Sequence, residues 1–193
     1  MKEAGCVFNF IVLEIDSGTV VDEFVHRKAL VCLHDQLMKD AWCSDLVKDA
    51  NYVSNACPEI SWELEKAVAT PLNDGELNNL MLVEGYERGP LALYGHFREP
   101  PYGTQFKEGE PAAQKLFHEW ISALGLERVR GVSAINWVKG INTTWINSED
   151  AILGRESWSN YFDDGLEWWG IWCMTIWNPE RCTISALVAS TTD

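Results

Sequence analysis

The sequence predicts an α+β fold, with a mainly antiparallel sheet, helices packed on it and a C-terminal β-hairpin. Three observations carry this prediction. The N-terminal run CVFNFIVLEI is β-branched and aromatic, the central run EPAAQKLFHEWISALG repeats apolar residues at helical spacing, and the C-terminal run holds two apolar segments joined by NPER. At 193 residues, 47% of them hydrophobic, the chain suits one domain over 1–193.

The N-terminal third alternates predicted strand and helix. A strand over 6–15 leads through the turn Asp16-Ser17-Gly18 into a helix over about 20–41, and a shorter helix is expected from Ser44 or Asp45 to the residues before Cys57-Pro58. The apolar residues expected to form the stripe of the first helix are Phe24, Val25, Leu30, Val31, Leu33, Leu37 and Met38.

The middle of the chain predicts further helices and one strand. Ser61 is expected to cap a helix in WELEKAVA that Pro71 ends, and Asn73 or Asp74 to open a helix that closes near Gly85. PLALYGHFR, residues 90–98, is expected to be a strand, followed by an exposed loop.

The second half predicts one clear helix over 110–125. Pro111 occupies its first turn, and Gly125 closes it. GVSAINWV is expected to be a strand, Ser148 to cap a turn, and residues 156–162 to form a short helix.

The C-terminal hairpin has a predicted register. If Asn178-Pro179-Glu180-Arg181 forms a type I turn, Trp177 faces Cys182 and Cys173 faces Ala186. Cys173 and Cys182 would then lie too far apart for a disulfide. Both faces of the hairpin are apolar, and its tryptophans at 172 and 177 point to opposite faces, so we expect the hairpin to be covered on both sides.

The charge is acidic throughout. The net charge is −14, and acids outnumber bases by 10 to 5, 9 to 4 and 10 to 6 over residues 1–60, 61–110 and 111–193. Phosphate neutralisation needs clustered Lys and Arg, so we expect no direct nucleic-acid binding. An acidic protein can instead dock on a basic partner, although acidity also serves solubility alone.

The N-terminal run and the cysteines predict where the protein resides and whether it binds zinc. The first apolar run closes on Glu14 and Asp16 without a cleavage pattern, which favours a strand over a signal peptide and a cytoplasmic protein with no membrane association. The six cysteines form no C-x-x-C pair, so we expect no structural zinc and no cofactor.

Catalytic motifs are not recognisable. The sequence holds no G-x-G-x-x-G and no P-loop, and the helix beginning His118-Glu119 has Ser122 where a zinc protease needs its second His. The best candidates for chemistry are the carboxylates Asp163, Asp164 and Glu167. These carboxylates suit Mg²⁺ binding or acid–base work, but Asp163-Asp164-Gly165 is also ordinary turn chemistry, and we predict a protein that is not an enzyme.

The same segment predicts a partner surface. Trp168 and Trp169 are adjacent, so in a strand only one of them can face inward, and the other is a candidate exposed anchor. An aromatic side chain beside carboxylates is the composition expected where a basic protein docks. The predicted partner-binding residues are Asp163, Asp164, Glu167, Trp168 and Trp169.

The C-terminal stretch EWWGIWCMTIWNPERCTISALVASTTD, in a small acidic α+β chain, resembles immunity proteins of bacterial polymorphic toxin and type VI secretion systems. The likeness is to α+β families with Trp-containing C-terminal strands, some of which neutralise nuclease toxins. It implies a cytosolic protein that binds and occludes a cognate toxin with a basic surface. Two alternatives stay open: an anti-restriction or anti-CRISPR type of inhibitor that mimics nucleic-acid charge, and an enzyme with a dispersed carboxylate site.

Overall fold

A computed structural model describes most of the chain. The described residues are 6–42, 60–83, 93–99, 106–128, 130–142, 154–163, 165 and 170–191. The predicted helix after Ser44 and the cap at Ser148 lie outside them, as does most of the loop between the predicted strand at 90–98 and the next helix. The prediction of a helix that closes near Gly85 was wrong in its length, because this helix ends at Asn79 and residues 80–83 are not helical.

A five-stranded antiparallel sheet forms the centre of the protein. Its spatial order is β1-β5-β4-β3-β2, so the two C-terminal strands occupy interior positions. Four helices accompany the sheet in the described part of the chain, and the α+β prediction is confirmed. The strands are β1 Asn9–Glu14, β2 Thr70–Pro71, β3 Ser133–Asn136, β4 Gly170–Asn178 and β5 Thr183–Thr191. The helices are α1 Glu23–Trp42, α2 Asp74–Asn79, α3 Leu93–Arg98 and α4 Glu110–Ala123.

The C-terminal hairpin is confirmed, but its predicted register was wrong by two residues. Trp177 pairs with Ile184 and Cys173 with Val188, because Asn178 pairs with Thr183 and leaves a loop of residues 179–182. Cys182 adopts a positive φ of 52°, which turns the chain back into β5. A shift of two keeps each side chain on its predicted face. Cys173 and Cys182 are free thiols.

Both faces of the hairpin are covered, as predicted. Trp172, Met174 and Ile176 belong to a core shared with α3 and α4, whereas Cys173 and Trp177 lie on the opposite face, in a core shared with α1. The two hairpin tryptophans therefore point to opposite sides of the sheet. Full burial of each aliphatic or aromatic side chain in these cores contributes about 1.5–3 kcal/mol.

Helix α1 packs on one face of the sheet through a stripe that includes Leu30, Leu33 and Leu37 of the predicted one. Its buried residues are His26, Ala29, Leu30, Leu33 and Leu37. Phe24 and Val31, which were expected in the stripe, are 62% and 46% exposed. The prediction was wrong at these two positions because it counted apolar residues alone, and the buried face begins at a histidine.

Helices α2, α3 and α4 accompany the opposite core. Asn73 caps α2 through a capping box with Glu76, and α4 occupies the predicted span, with Pro111 in its first turn. The predicted strand over 90–98 was wrong, since Leu93–Arg98 is helical. Leu93, Tyr94 and Phe97 share one helix face and are buried, so tertiary packing overrides the strand propensity.

Two predicted short helices are reduced to single 3₁₀ turns. Residues 64–66 form one such turn, and Ser61 caps no helix there. Residues 160–162 form the other. An isolated β-bridge between Trp62 and Ser159 lies just before the two turns. The bridge holds the chain extended at both residues, so neither helix can begin earlier.

Candidate functional site

The described part of the predicted partner surface begins at Tyr161. We call residues 161–169 the entrance segment, because they lead into β4. Asp163 is exposed, whereas Phe162 is buried in the α1-side core. Of the five predicted partner-binding residues, Asp163 lies in the described part of the chain. The other four, Asp164, Glu167, Trp168 and Trp169, lie outside the described residues.

Local structure fixes the position of Asp163. The hydroxyl of Ser159 accepts a hydrogen bond from the Tyr161 amide at 3.0 Å, which caps the 3₁₀ turn. The Asp163 amide then donates to the Asn160 carbonyl at 3.2 Å. Because Phe162 is anchored in the core, the next side chain must point outward, and Asp163 projects into solvent.

The Tyr161 side chain anchors the start of the same segment. Its hydroxyl accepts a hydrogen bond from Nδ2 of Asn9 at 3.1 Å, which ties the entrance segment to β1. Burial raises the pKa of the Tyr161 phenol to about 12, so this group stays neutral at physiological pH. Tyr161 is thus a structural support of the segment.

A polar groove of about 250 Å³ contains Asp163. We call it the polar groove; it is open to solvent, and it is lined by Ser61, Glu63, Lys66, Ser157, Trp158, Ser159, Asn160 and Asp163. Its two walls come from distant parts of the sequence. They are joined by the Glu63 amide, which donates to the Trp158 carbonyl at 2.9 Å, and by the Ser61 amide, which donates to Oδ1 of Asn160 at 2.9 Å.

Aromatic packing makes the floor of the polar groove rigid. The Trp158 indole is 2% exposed and packs edge-on against Trp62 and Phe162, with ring centroids 5.3 and 5.0 Å away. Its Nε1 donates to the Trp137 carbonyl at 2.9 Å. The polar rim is therefore held on a packed aromatic base.

The electrostatics of the polar groove are acidic. Lys66 forms an ion pair with Glu63, and this hydrogen bond and charge raise the pKa of the Lys66 ammonium, with smaller contributions from Glu65 and Glu156. Lys66 is the one basic residue among the described residues that line the groove, and it pairs with Glu63. Asp163, Glu65 and Glu156 are exposed and add negative charge around it.

Arg27 fastens the 63–67 wall to helix α1. Its guanidinium donates to the carbonyls of Leu64 and Ala67, the second at 2.9 Å. It also pairs with Glu23 at 2.7 Å and lies 4.9 Å from the ring centroid of Trp137. The wall of the groove and the first turns of α1 therefore form one continuous surface.

The two histidines of helix α1 have structural partners. Nδ1 of His26 lies 2.8 Å from the Thr175 hydroxyl, and Nε2 of His34 lies 2.6 Å from the Ile60 carbonyl. Within the described ranges, no group of three or more His, Cys, Asp or Glu side chains is placed to hold a metal ion. None of the helices in those ranges is both long and apolar enough to cross a bilayer.

Sequence reasoning missed most of the polar groove. Glu63, Lys66 and the polar run from Ser157 to Asn160 were not singled out, because the bridge that joins them links residues almost a hundred positions apart. The available signal was local: Glu63 and Glu65 alternate with Trp62 and Leu64, the pattern of an exposed acidic edge.

Comparison of the chain with protein-family models, with curated proteins and with solved structures returned no match.

Proposed function

We propose that the protein is a cytoplasmic immunity protein that binds a cognate bacterial toxin, of nuclease type, and occludes its active surface. The observation that carries the proposal is the exposed, acidic character of the polar groove, which Glu63 and Asp163 both line. A nuclease grips phosphate with Lys and Arg, and carboxylates on a rigid surface complement such a site.

The mechanism is occlusion without catalysis. Acidic side chains around the groove pair with the toxin's Lys and Arg, and the bulk of the protein then blocks the route of the substrate. Long-range attraction also accelerates encounter, which matters for an inhibitor that must bind before the toxin acts. The aromatic floor holds the backbone of the groove in place, so the backbone loses little ordering entropy on binding.

The test is co-expression with the toxin encoded immediately upstream, followed by measurement of the association rate with purified toxin domain. Asp163→Lys and Glu65→Lys should each slow association about 5- to 20-fold and weaken its salt dependence. Glu180→Lys is the matched control, since it makes the same charge change at an exposed position in the hairpin turn. It should leave association within about twofold of the unmodified protein.

Three outcomes would contradict the proposal. If the toxin remains toxic when the two proteins are co-expressed, and no complex forms between them, the toxin is not the partner. Binding to a host nuclease complex in competition with DNA would instead favour a nucleic-acid mimic. Catalytic activity of this protein itself, abolished by Asp163→Asn while partner binding is unchanged, would favour an enzyme.

A further inference from the structure

An apolar patch lies beside the acidic groove. Six large hydrophobic side chains are exposed in the described part of the chain. Four of them are Phe24 and Val31 on α1, Val20 three residues before it, and Val68 on the segment that Arg27 joins to α1. We call these four the apolar patch: Val20 82% exposed, Phe24 62%, Val31 46% and Val68 47%.

Helix geometry and the contacts of Arg27 place three members of the patch, Phe24, Val31 and Val68, on neighbouring parts of the surface. Phe24 and Val31 are seven positions apart on α1, two helical turns, so they share one helix face. Val68 follows Ala67, whose carbonyl accepts a hydrogen bond from Arg27 at 2.9 Å. The segment that carries Val68 therefore runs along the side of α1 that borders this face.

Acidic side chains surround the apolar patch. Asp22 and Glu23 lie at the start of α1, and Glu63 and Glu65 lie on the neighbouring wall of the polar groove; all four are exposed. The nearby cations have internal partners. Lys66 pairs with Glu63, Arg27 pairs with Glu23, and the ammonium of Lys28 lies 4.7 Å from the ring centroid of Phe24.

We infer that the apolar patch is the hydrophobic anchor of the partner interface, occupied by a basic protein that presents an apolar side chain flanked by Lys or Arg. The inference rests on the proposed function and adds to it the chemistry of the partner's contact surface. An exposed aromatic ring bordered by charged groups matches the organisation of interfaces, in which apolar centres carry most of the binding energy.

Charge decides between the two proteins that could cover this patch. A second copy of the chain carries the same net charge of −14. Its patch is bordered by the same four acids and three bases, Asp22, Glu23, Glu63 and Glu65 against Arg27, Lys28 and Lys66, so both surfaces are acidic. Like charges brought together in this way oppose association. A basic partner meets no such repulsion.

The first experiment compares two double variants by calorimetric titration with the purified domain of the upstream-encoded toxin. Phe24→Ser with Val31→Ser removes the centre of the patch. Val12→Ser with Leu82→Ser is the matched control, because these residues are 41% and 42% exposed and lie outside the patch. The patch variant should raise Kd about 30-fold or more, and the control should stay within about threefold.

The second experiment is a lysine footprint of the unmodified protein, with and without the toxin domain. Acetylation of Lys28, which lies on Phe24, should slow in the complex, whereas Lys115 on α4 should react equally in both states. Urea midpoints of the variants show whether each is folded, and the footprint needs no variant at all.

The outcomes separate this inference from the proposed function. Tight binding by the unmodified protein, with equal affinity for the patch variant and no protection of Lys28, overturns the inference and leaves the proposed function standing. An unmodified protein that neither binds nor rescues overturns both. A dimer that the patch variant converts to monomer identifies the patch as a self-interface and also overturns the inference.

Discussion

Nδ1 of His26, on α1, lies 2.8 Å from the hydroxyl of Thr175, in the middle of β4. Both residues are buried, and the same hydroxyl accepts a hydrogen bond from Nε1 of Trp137 at 2.8 Å. The indole donates to this oxygen, and the same hydroxyl is hydrogen-bonded to Nδ1 of the His26 imidazole. This polar junction joins α1 to the sheet inside an otherwise apolar core.

Thr175→Val should destabilise the fold by about 2–3 kcal/mol. Valine keeps the shape but removes the hydroxyl, which leaves the Trp137 N–H and the His26 ring nitrogen buried without this partner. The measurement is the urea midpoint. Thr19→Val, an exposed position, is the control and should change stability by less than about 0.5 kcal/mol. Equal midpoints for Thr175→Val and the unmodified protein would contradict the assignment.

Because His26 is buried at this junction, we expect the stability of the fold to depend on pH. Burial lowers the pKa of His26 below its ordinary value of 6.5, and the opposing attraction of Asp22 and Glu23 is smaller. The unfolded state therefore binds the proton first, so this contribution to stability is complete above about pH 7 and falls as the pH drops through 6.5. The slope reaches at most about 1.4 kcal/mol per pH unit.

Two variants isolate the histidine. His26→Asn keeps an acceptor but does not titrate, so its stability should change less between pH 7.5 and 5.5 than that of the unmodified protein. His118→Asn, at an exposed position on α4, should retain the full pH dependence. Indistinguishable pH profiles for His26→Asn and the unmodified protein would show that His26 is not the titrating group.

Asn178 forms a second polar junction, between the end of α4 and the hairpin turn. Its Nδ2 donates to the Gly125 carbonyl at 2.9 Å, and its Oδ1 accepts from the amides of Glu180 and Arg181, each at 3.1 Å. It thereby joins the end of α4 to the hairpin turn. Asn178→Ala should cost about 2–4 kcal/mol in urea unfolding. Asn79→Ala, which changes an exposed asparagine, should cost less than about 1 kcal/mol; similar losses for the two variants would contradict this role.

Three of the cysteines should react with an alkylating reagent in a defined order. Cys32 is exposed, Cys6 is half-buried with a thiol pKa raised to about 11 by burial, and Cys173 is fully buried with its pKa raised further by the same cause. Alkylation at pH 8, mapped by peptide mass spectrometry, should modify Cys32 before Cys6, and Cys173 only after unfolding. Labelling of Cys173 as fast as Cys32 in the native protein would contradict the packing of β4.

Side-chain parity made the hairpin predictable. The alternation around Trp172 and Cys173 was visible in the sequence, so coverage of both faces could be foreseen. The strand register could not be foreseen, because it depends on the longer loop that the positive φ of Cys182 allows. Since the error was two residues, the faces remained correct.

Long-range contacts account for what the sequence could not predict. His26 and Thr175 are 149 positions apart, and their pairing determines which face of α1 is buried. The same limitation hid the polar groove, whose walls meet through a bridge between Trp62 and Ser159. The acidic character of the entrance segment was visible at Asp163, but its neighbours across the groove were not.

The proposed inhibition of a toxin by binding can be measured directly. The activity of the upstream-encoded toxin domain is followed in a plasmid-cleavage assay as the purified protein is added. Cleavage should fall linearly and end at one equivalent, with a complex of matching stoichiometry by sedimentation. Full cleavage at a tenfold excess of the protein, with the two components sedimenting separately, would contradict it.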